Sequence, residues 1–260
     1  ASERHFRTDI AVRSVDEMAD EFRADDVLAV LFAWDAESAM ALPPTTNEFV
    51  AGCVVRHPDA FLGFASVDPW KGRAAVDQLR HAVVDLGLRG LKLHPSAQGF
   101  APNESRFYPL YDAAAELEIP IVFHTGTTGL GAGLAGGGGI KLGYSRPILL
   151  DDVAADFPEL TIIGAHPSWP WQDEMLAVVQ HKTNVWIDLS GWSPRRWSPE
   201  LKAAALGPLQ DRMLFGTDYP FITFAKWLAA FRSLEPTAEV EAKILKGNAL
   251  RLLGLAEGGN

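Results

Sequence analysis

The chain has 260 residues, 48% of them hydrophobic, which is material for a sizeable core in one larger α/β domain or two small ones. Its formal net charge of -10 and the lack of any basic run argue against a nucleic-acid partner, whose affinity would rest on clustered Lys and Arg. No stretch approaches the ~20 apolar residues needed to cross a bilayer, and the lone Cys53 excludes an intramolecular disulfide or a Cys-rich zinc cluster, so a cytoplasmic protein with no membrane partner is expected.

In chain order, the residues up to Asp26 read as a loop and a helix. Apolar, β-branched runs then recur at 27–33 (VLAVLFA), 61–67 (FLGFASV), 89–94 (RGLKLH), 119–125 (IPIVFHT), 160–166 (LTIIGAH), 184–190 (NVWIDLS) and 212–218 (RMLFGTD), each with the length of a buried strand. Helical spacing separates them: Val76, Leu79, Val83 and Leu86 step by three and four, with Asp77, Arg80, His81 and Asp85 on the other sides. The stretch around Cys53 is also helix-like, making that cysteine a buried structural thiol, and a closing helix ends at Gly254.

Strands alternating with helices predict parallel pairing through helical crossovers. At this length the expectation is one domain over 1–260, a (β/α)8 TIM barrel, with a doubly wound sheet as the alternative. Seven runs do not close eight strands, so the first strand is expected to be absent from the chain. It begins at Ala1 rather than Met, which suggests a truncated piece.

Active sites of parallel barrels lie at the carboxyl ends of the strands. Here the runs end on Lys92 and His94, on His124, on His166, on Asp188 and Ser190, and on Asp218. Imidazoles and carboxylates on one rim have the ligand chemistry of a divalent transition metal, zinc, manganese or iron. Singly, each has a structural alternative: a strand-end histidine is more often a hydrogen-bonded core group, Asp188 could cap a helix, Asp218 could start a turn and Lys92 could pair with a carboxylate. The coincidence of His124, His166 and Asp218 at one geometric place weakens that alternative. His5, His57, His81 and His181 lie in terminal or helical contexts that suit structural or solvated roles.

The glycine-rich loop after His124 contains G-x-G-x-x-G at 131–136, with Asp151 about twenty residues on. A dinucleotide fingerprint needs those glycines directly after the strand and opening a helix, whereas here they run into Gly137, Gly138 and Gly139. A mobile loop over the site is the better reading. Trp169, Trp171 and Trp192 follow strand ends, where rings can line a pocket for a flat or apolar substrate.

The ordered segments GFASVDP, GLRGLKLHP, FYPLYDAAAELEIPIVFHTG, DDVAADFPELTIIGAHPSWPW, VWIDLSG and LFGTDYPF resemble the metal-dependent amidohydrolase superfamily. Within it they resemble the branch related to aminocarboxymuconate semialdehyde decarboxylase and the resorcylate-type decarboxylases. The resemblance implies a mononuclear divalent metal site, zinc foremost with manganese next. His124 would be a ligand, His166 a ligand or water activator, and Asp218 a ligand and proton carrier. Lys92, with His94 beside it, would contact substrate or play a structural role; Trp169, Trp171 and Trp192 are expected substrate contacts from their places after strand ends. The family's strand-one H-x-H pair is absent, in line with the strand count.

The implied activity is carbon–carbon cleavage, by decarboxylation or hydrolysis, of a small carboxylated or β-keto aromatic-type compound. Hydrolysis of a lactone, ester or acyl thioester is the close alternative. A metal-free, non-catalytic relative that binds a small molecule or a partner stands as the alternative from another class, and a homo-oligomer is compatible with each.

Overall fold

The structure, a computed structural model, describes residues 13–255. His5 therefore lies outside the described residues. Helix α1 (Val15–Ala24) opens with a capping box in which Ser14 and Glu17 satisfy each other's backbone N–H groups. The elements then alternate as β1 (Ala29–Phe32), α2 (Asn47–Arg56), β2 (Phe61–Phe64), α3 (Arg73–Val84), β3 (Leu91–Leu93), α4 (Tyr108–Glu116), β4 (Ile121–His124), α5 (Leu149–Asp156), β5 (Ile162–Ala165), α6 (Gln172–His181), β6 (Val185–Asp188), α7 (Pro199–Ala205), β7 (Met213–Leu214) and α8 (Phe224–Arg232). Each of the seven apolar runs contains one of these strands. The closing helix runs from α9 (Ala238–Ala242) through a π-turn (Lys243–Gly247) into α10 (Asn248–Leu252), and Gly254 at φ 61° ends it.

All pairings between the strands are parallel and follow chain order. β1 pairs with β2, and β3 to β7 form one sheet. A single parallel bridge from Ala65 to Leu91 joins the two, with Ala65 N–H donating to Gly90 O and Lys92 N–H to Ala65 O, both at 2.7 Å. This is the wall of a TIM barrel, seven strands of which lie among the described residues.

Side chains alternate across that wall. Ile121, Phe123 and Ile162 join the large outer core beneath the helices, beside Leu79, Leu110 and Leu150. Phe64, Val122, Ile163, Ala165 and Leu214 form a separate interior cluster on the other face. Ala249, Leu252 and Leu253 pack against that interior cluster, and Arg89, just before β3, donates to Leu253 O. The closing helix thus covers the amino ends of the strands.

Cys53 is buried in α2, as expected. Among the described residues no helix is long and apolar enough to cross a membrane.

Candidate active site

Strand register decides which side chains share the barrel interior. Lys92 is paired with Val122, His124 with Ala165, and Ala165 with Asp188. Their neighbours Val122 and Ala165 belong to the interior cluster, so Lys92, His124 and Asp188 face the same way at the carboxyl ends of β3, β4 and β6. His94, two residues beyond Lys92, joins them. Its ring stacks on His124 with centroids 3.8 Å apart and planes 9° apart.

Three imidazoles stand in a row. His124 Nδ1 lies 3.1 Å from His166 Nε2. The outer nitrogens each meet a backbone carbonyl: His124 Nε2 is 3.2 Å from Thr127 O, and His166 Nδ1 is 3.2 Å from Ser190 O. A carbonyl can only accept, so each contact favours a proton on the outer nitrogen; with both outer nitrogens protonated and a cation between the rings, the two inner nitrogens would both offer lone pairs. His94 is held differently, its Nδ1 accepting from Ala97 N at 3.2 Å.

Burial keeps His94 and His124 neutral. The pKa values of His94 and His124 are pushed well below the ordinary histidine range by desolvation, then by neighbouring charges that include Lys92 and His166. Lys92, 7% exposed, has its pKa lowered to about 8 by burial, against the opposing fields of Asp188 and Asp218. Its Nζ lies 5.2 Å from the Phe32 ring centroid. Desolvation raises the pKa of Asp188, and His166, Ser190 and Lys92 offset part of that rise.

Backbone strain collects at the same rim. His166 (φ 80°), Ser168 (φ 63°) and Asp218 (φ 60°) are non-glycine residues in left-handed conformations. Each costs on the order of 1–3 kcal/mol, which the surrounding structure must offset.

Of the residues expected at the site, His124 contacts both His94 and His166, with Lys92 on the same interior face. Asp218 is exposed on the loop after β7 and reaches Lys92 through its field rather than through a hydrogen bond. Among the described residues no three of His, Cys, Asp or Glu close on one point as a metal cage. Trp169 and Trp192 meet at the rim with centroids 5.9 Å apart, while Trp171 lies beneath the Arg146 guanidinium at 5.9 Å. The glycine-rich loop contains a left-handed turn at Gly136, Gly137 and Gly138 instead of opening a helix, which disposes of the dinucleotide reading. Thr127 N–H donates to Trp169 O at the base of this loop, and Gly126 N–H to Ser145 O, both at 2.8 Å.

Two interior groups carry more of the site than their sequence context suggested. Gln98 is buried, and its amide nitrogen donates to Asp35 O (2.6 Å) and Val67 O (2.9 Å) while its oxygen accepts from His94 N (2.8 Å). It ties together three strand ends, and no sequence motif marks it. Ser190 joins Asp188 to His166, and the signal for that was the dipeptide Ser190-Gly191 directly after a strand.

The inner nitrogens fit a divalent metal. Two imidazole ligands of one ion at about 2.1 Å each can stand about 3 Å apart, and ligating histidines usually donate their outer N–H to a carbonyl, as both do here.

Comparison with known proteins agrees with the geometry. The family model described as amidohydrolase matches residues 6–255. A curated 2-amino-3-carboxymuconate-6-semialdehyde decarboxylase from Dictyostelium discoideum is 23% identical over 113 residues, 40% of this chain, and the matched stretch spans 32% of that relative's length. An uncharacterised TIM-barrel protein from Bordetella bronchiseptica superimposes with a TM-score of 0.81 at 27% identity, covering 97% of this chain and 88% of that one. A 5-carboxyvanillate decarboxylase from Novosphingobium aromaticivorans, complexed with manganese and 4-hydroxy-3-methoxy-5-nitrobenzoic acid, matches with a TM-score of 0.63 at 23% identity over 80% of this chain and 68% of that one. With a parallel barrel wall, a histidine row at the carboxyl ends of its strands and a family match over nearly its whole length, this chain belongs to the amidohydrolase family.

Proposed function

We propose that this chain is a metal-dependent lyase or hydrolase that cleaves a carbon–carbon bond of a small carboxylated or β-keto aromatic-type compound, with decarboxylation as the favoured reaction. The observation that carries the reading is the pair of facing ring nitrogens, His124 Nδ1 and His166 Nε2, each ring backed by a carbonyl on its outer side. The decarboxylase activity of the curated relative and the manganese in a structural neighbour support it.

His124 and His166 would hold one divalent ion, manganese or zinc, and Asp218, on the loop after β7, would add a carboxylate. When bound, the ion supplies Lewis acidity to a substrate oxygen. The rest falls to the protein. Lys92 pairs with a substrate carboxylate in a site of low dielectric, where such a pair is strongest. Trp169 and Trp192 offer flat faces to an aromatic ring. Asp218, on the rim, takes the proton that a substrate hydroxyl loses and returns it to the ring carbon as the bond to the carboxylate breaks and carbon dioxide leaves. His94 supports His124 by stacking. The single buried cysteine suits a reducing cytoplasm, where we place the enzyme.

The test is metal content by elemental mass spectrometry after incubation with manganese, paired with carbon dioxide release from a panel of carboxylated phenols. A parallel panel of lactones and thioesters separates hydrolysis from decarboxylation. We expect about one equivalent of metal and turnover in the first panel, both lost in His124→Ala. Protein that takes up no metal and turns over neither panel would overturn the reading.

A further inference from the structure

Ser190 meets His166 through two oxygens. Its carbonyl lies 3.2 Å from His166 Nδ1 and its Oγ 2.9 Å from the same nitrogen. The single hydroxyl proton is already committed, because Oγ donates to Asp188 Oδ2 at 2.8 Å. The other Asp188 oxygen, Oδ1, accepts from Ser190 N at 2.9 Å, which locks the carboxylate in place. Both Ser190 oxygens are therefore acceptors toward Nδ1.

We propose that Asp188 and Ser190 form a positioning clamp that sets His166 as the Nδ1–H tautomer and aims the Nε2 lone pair into the site. His124 has a single outer acceptor, Thr127 O at 3.2 Å, against two for His166. In the metal-free pair the proton between the rings consequently rests on His124 Nδ1 and is donated to His166 Nε2.

Two glycines make room for the clamp. A Cβ at Gly191 would stand 2.7 Å from His166 Nδ1, and a Cβ at Gly216 would stand 2.2 Å from Asp188 Oδ1. Neither ring nor carboxylate could occupy its present place beside a larger residue. The strand-end sequences Asp188-Leu189-Ser190-Gly191 and Phe215-Gly216-Thr217-Asp218 thus encode the clamp as well as the site.

The proposal rests on the functional reading for the use of the lone pair, yet its central claim concerns the ring alone. Substituting Asp188→Asn gives it a sharp consequence. Ser190 N–H must keep an oxygen acceptor, so the new amide presents its NH2 to Ser190 Oγ. The hydroxyl proton then turns toward His166 Nδ1, and the tautomer inverts to Nε2–H.

The experiment is nitrogen-15 NMR of histidine-labelled, metal-free protein at alkaline pH, with the His166 signals identified by their loss in His166→Gln. Wild type should show Nδ1 protonated and Nε2 unprotonated. Asp188→Asn should show the reverse, with kcat falling on the order of 100-fold as the nitrogen meant for the metal becomes protonated. An unprotonated Nδ1 in wild type, or an unchanged pattern in folded Asp188→Asn, overturns the clamp. If Asp188→Asn does not fold, Ser190→Ala decides: a mixture of tautomers supports the clamp, and a wild-type pattern overturns it. Absence of turnover with a wild-type NMR pattern as expected would refute the functional reading and leave the clamp standing.

Discussion

His124 Nδ1 and His166 Nε2 face each other across 3.1 Å at the ends of the adjacent strands β4 and β5. Nothing local in the chain joins them, since they are 42 positions apart. Parallel pairing of His124 with Ala165 brings the two strand ends level. The left-handed backbone of His166 then lets its ring meet His124.

The pH dependence follows from Lys92. Its pKa is lowered to about 8 by burial, while Asp188 and Asp218 work the other way and His94 and His124 also feel its charge. Above that pH the cation that pairs with a substrate carboxylate is lost, so kcat/KM for carboxylated substrates should fall as pH rises through about 8. Lys92→Arg, charged throughout, should move the fall out of range, as a pH–rate profile of both proteins will show. The stability effect has the opposite sign. The folded pKa lies below the ordinary 10.5, so the unfolded chain binds more protons between those values, and this group's contribution to stability improves as pH climbs through that window.

Gly191→Ala should damage both fold and chemistry. The residue sits at φ 75°, and the added Cβ would fall 2.7 Å from His166 Nδ1. Displacing the ring is expected to cost about 2 kcal/mol in urea unfolding. A misplaced His166 should also lower kcat on the order of 100-fold, measured at saturating substrate.

Gln98→Leu removes a brace rather than a reacting group. It leaves Asp35 O, Val67 O and His94 N without their buried partner. The expected loss is about 3 kcal/mol of stability, from orphaned polar groups that leucine cannot satisfy. Differential scanning calorimetry should show the lower melting temperature.

Trp169 and Trp192 test substrate shape. Replacing both with alanine removes a 5.9 Å aromatic pair at the rim. Such contacts contribute roughly 1 kcal/mol, so KM for an aromatic acid should rise about fivefold with kcat little changed. Equal losses for an aliphatic acid would show that the rings do not select flat substrates.

The strands were legible because fully buried parallel strands read as short β-branched runs, and all seven described strands fall inside such runs. Their carboxyl ends then indicated His94, His124, His166 and Lys92 as neighbours, since a parallel barrel sends every strand end to one rim. Asp218 shows where that logic stops. A strand-end position places a residue on the rim, but only the fold shows that the left-handed turn at φ 60° leaves this carboxylate exposed while Lys92 is buried.

What the amino-acid order determined by itself is the parallel β/α wall and the residue types on its rim, because hydrophobic period and strand endings are local properties. Ring tautomers, the division of acceptors between Ser190 and Thr127, the bridge through Gln98 and the turning of Trp171 toward Arg146 were decided only by the tertiary structure. Each depends on contacts of a few ångströms between segments far apart in the chain, and hydrogen-bond direction is set by which donor and acceptor meet, which no spacing along one strand can specify.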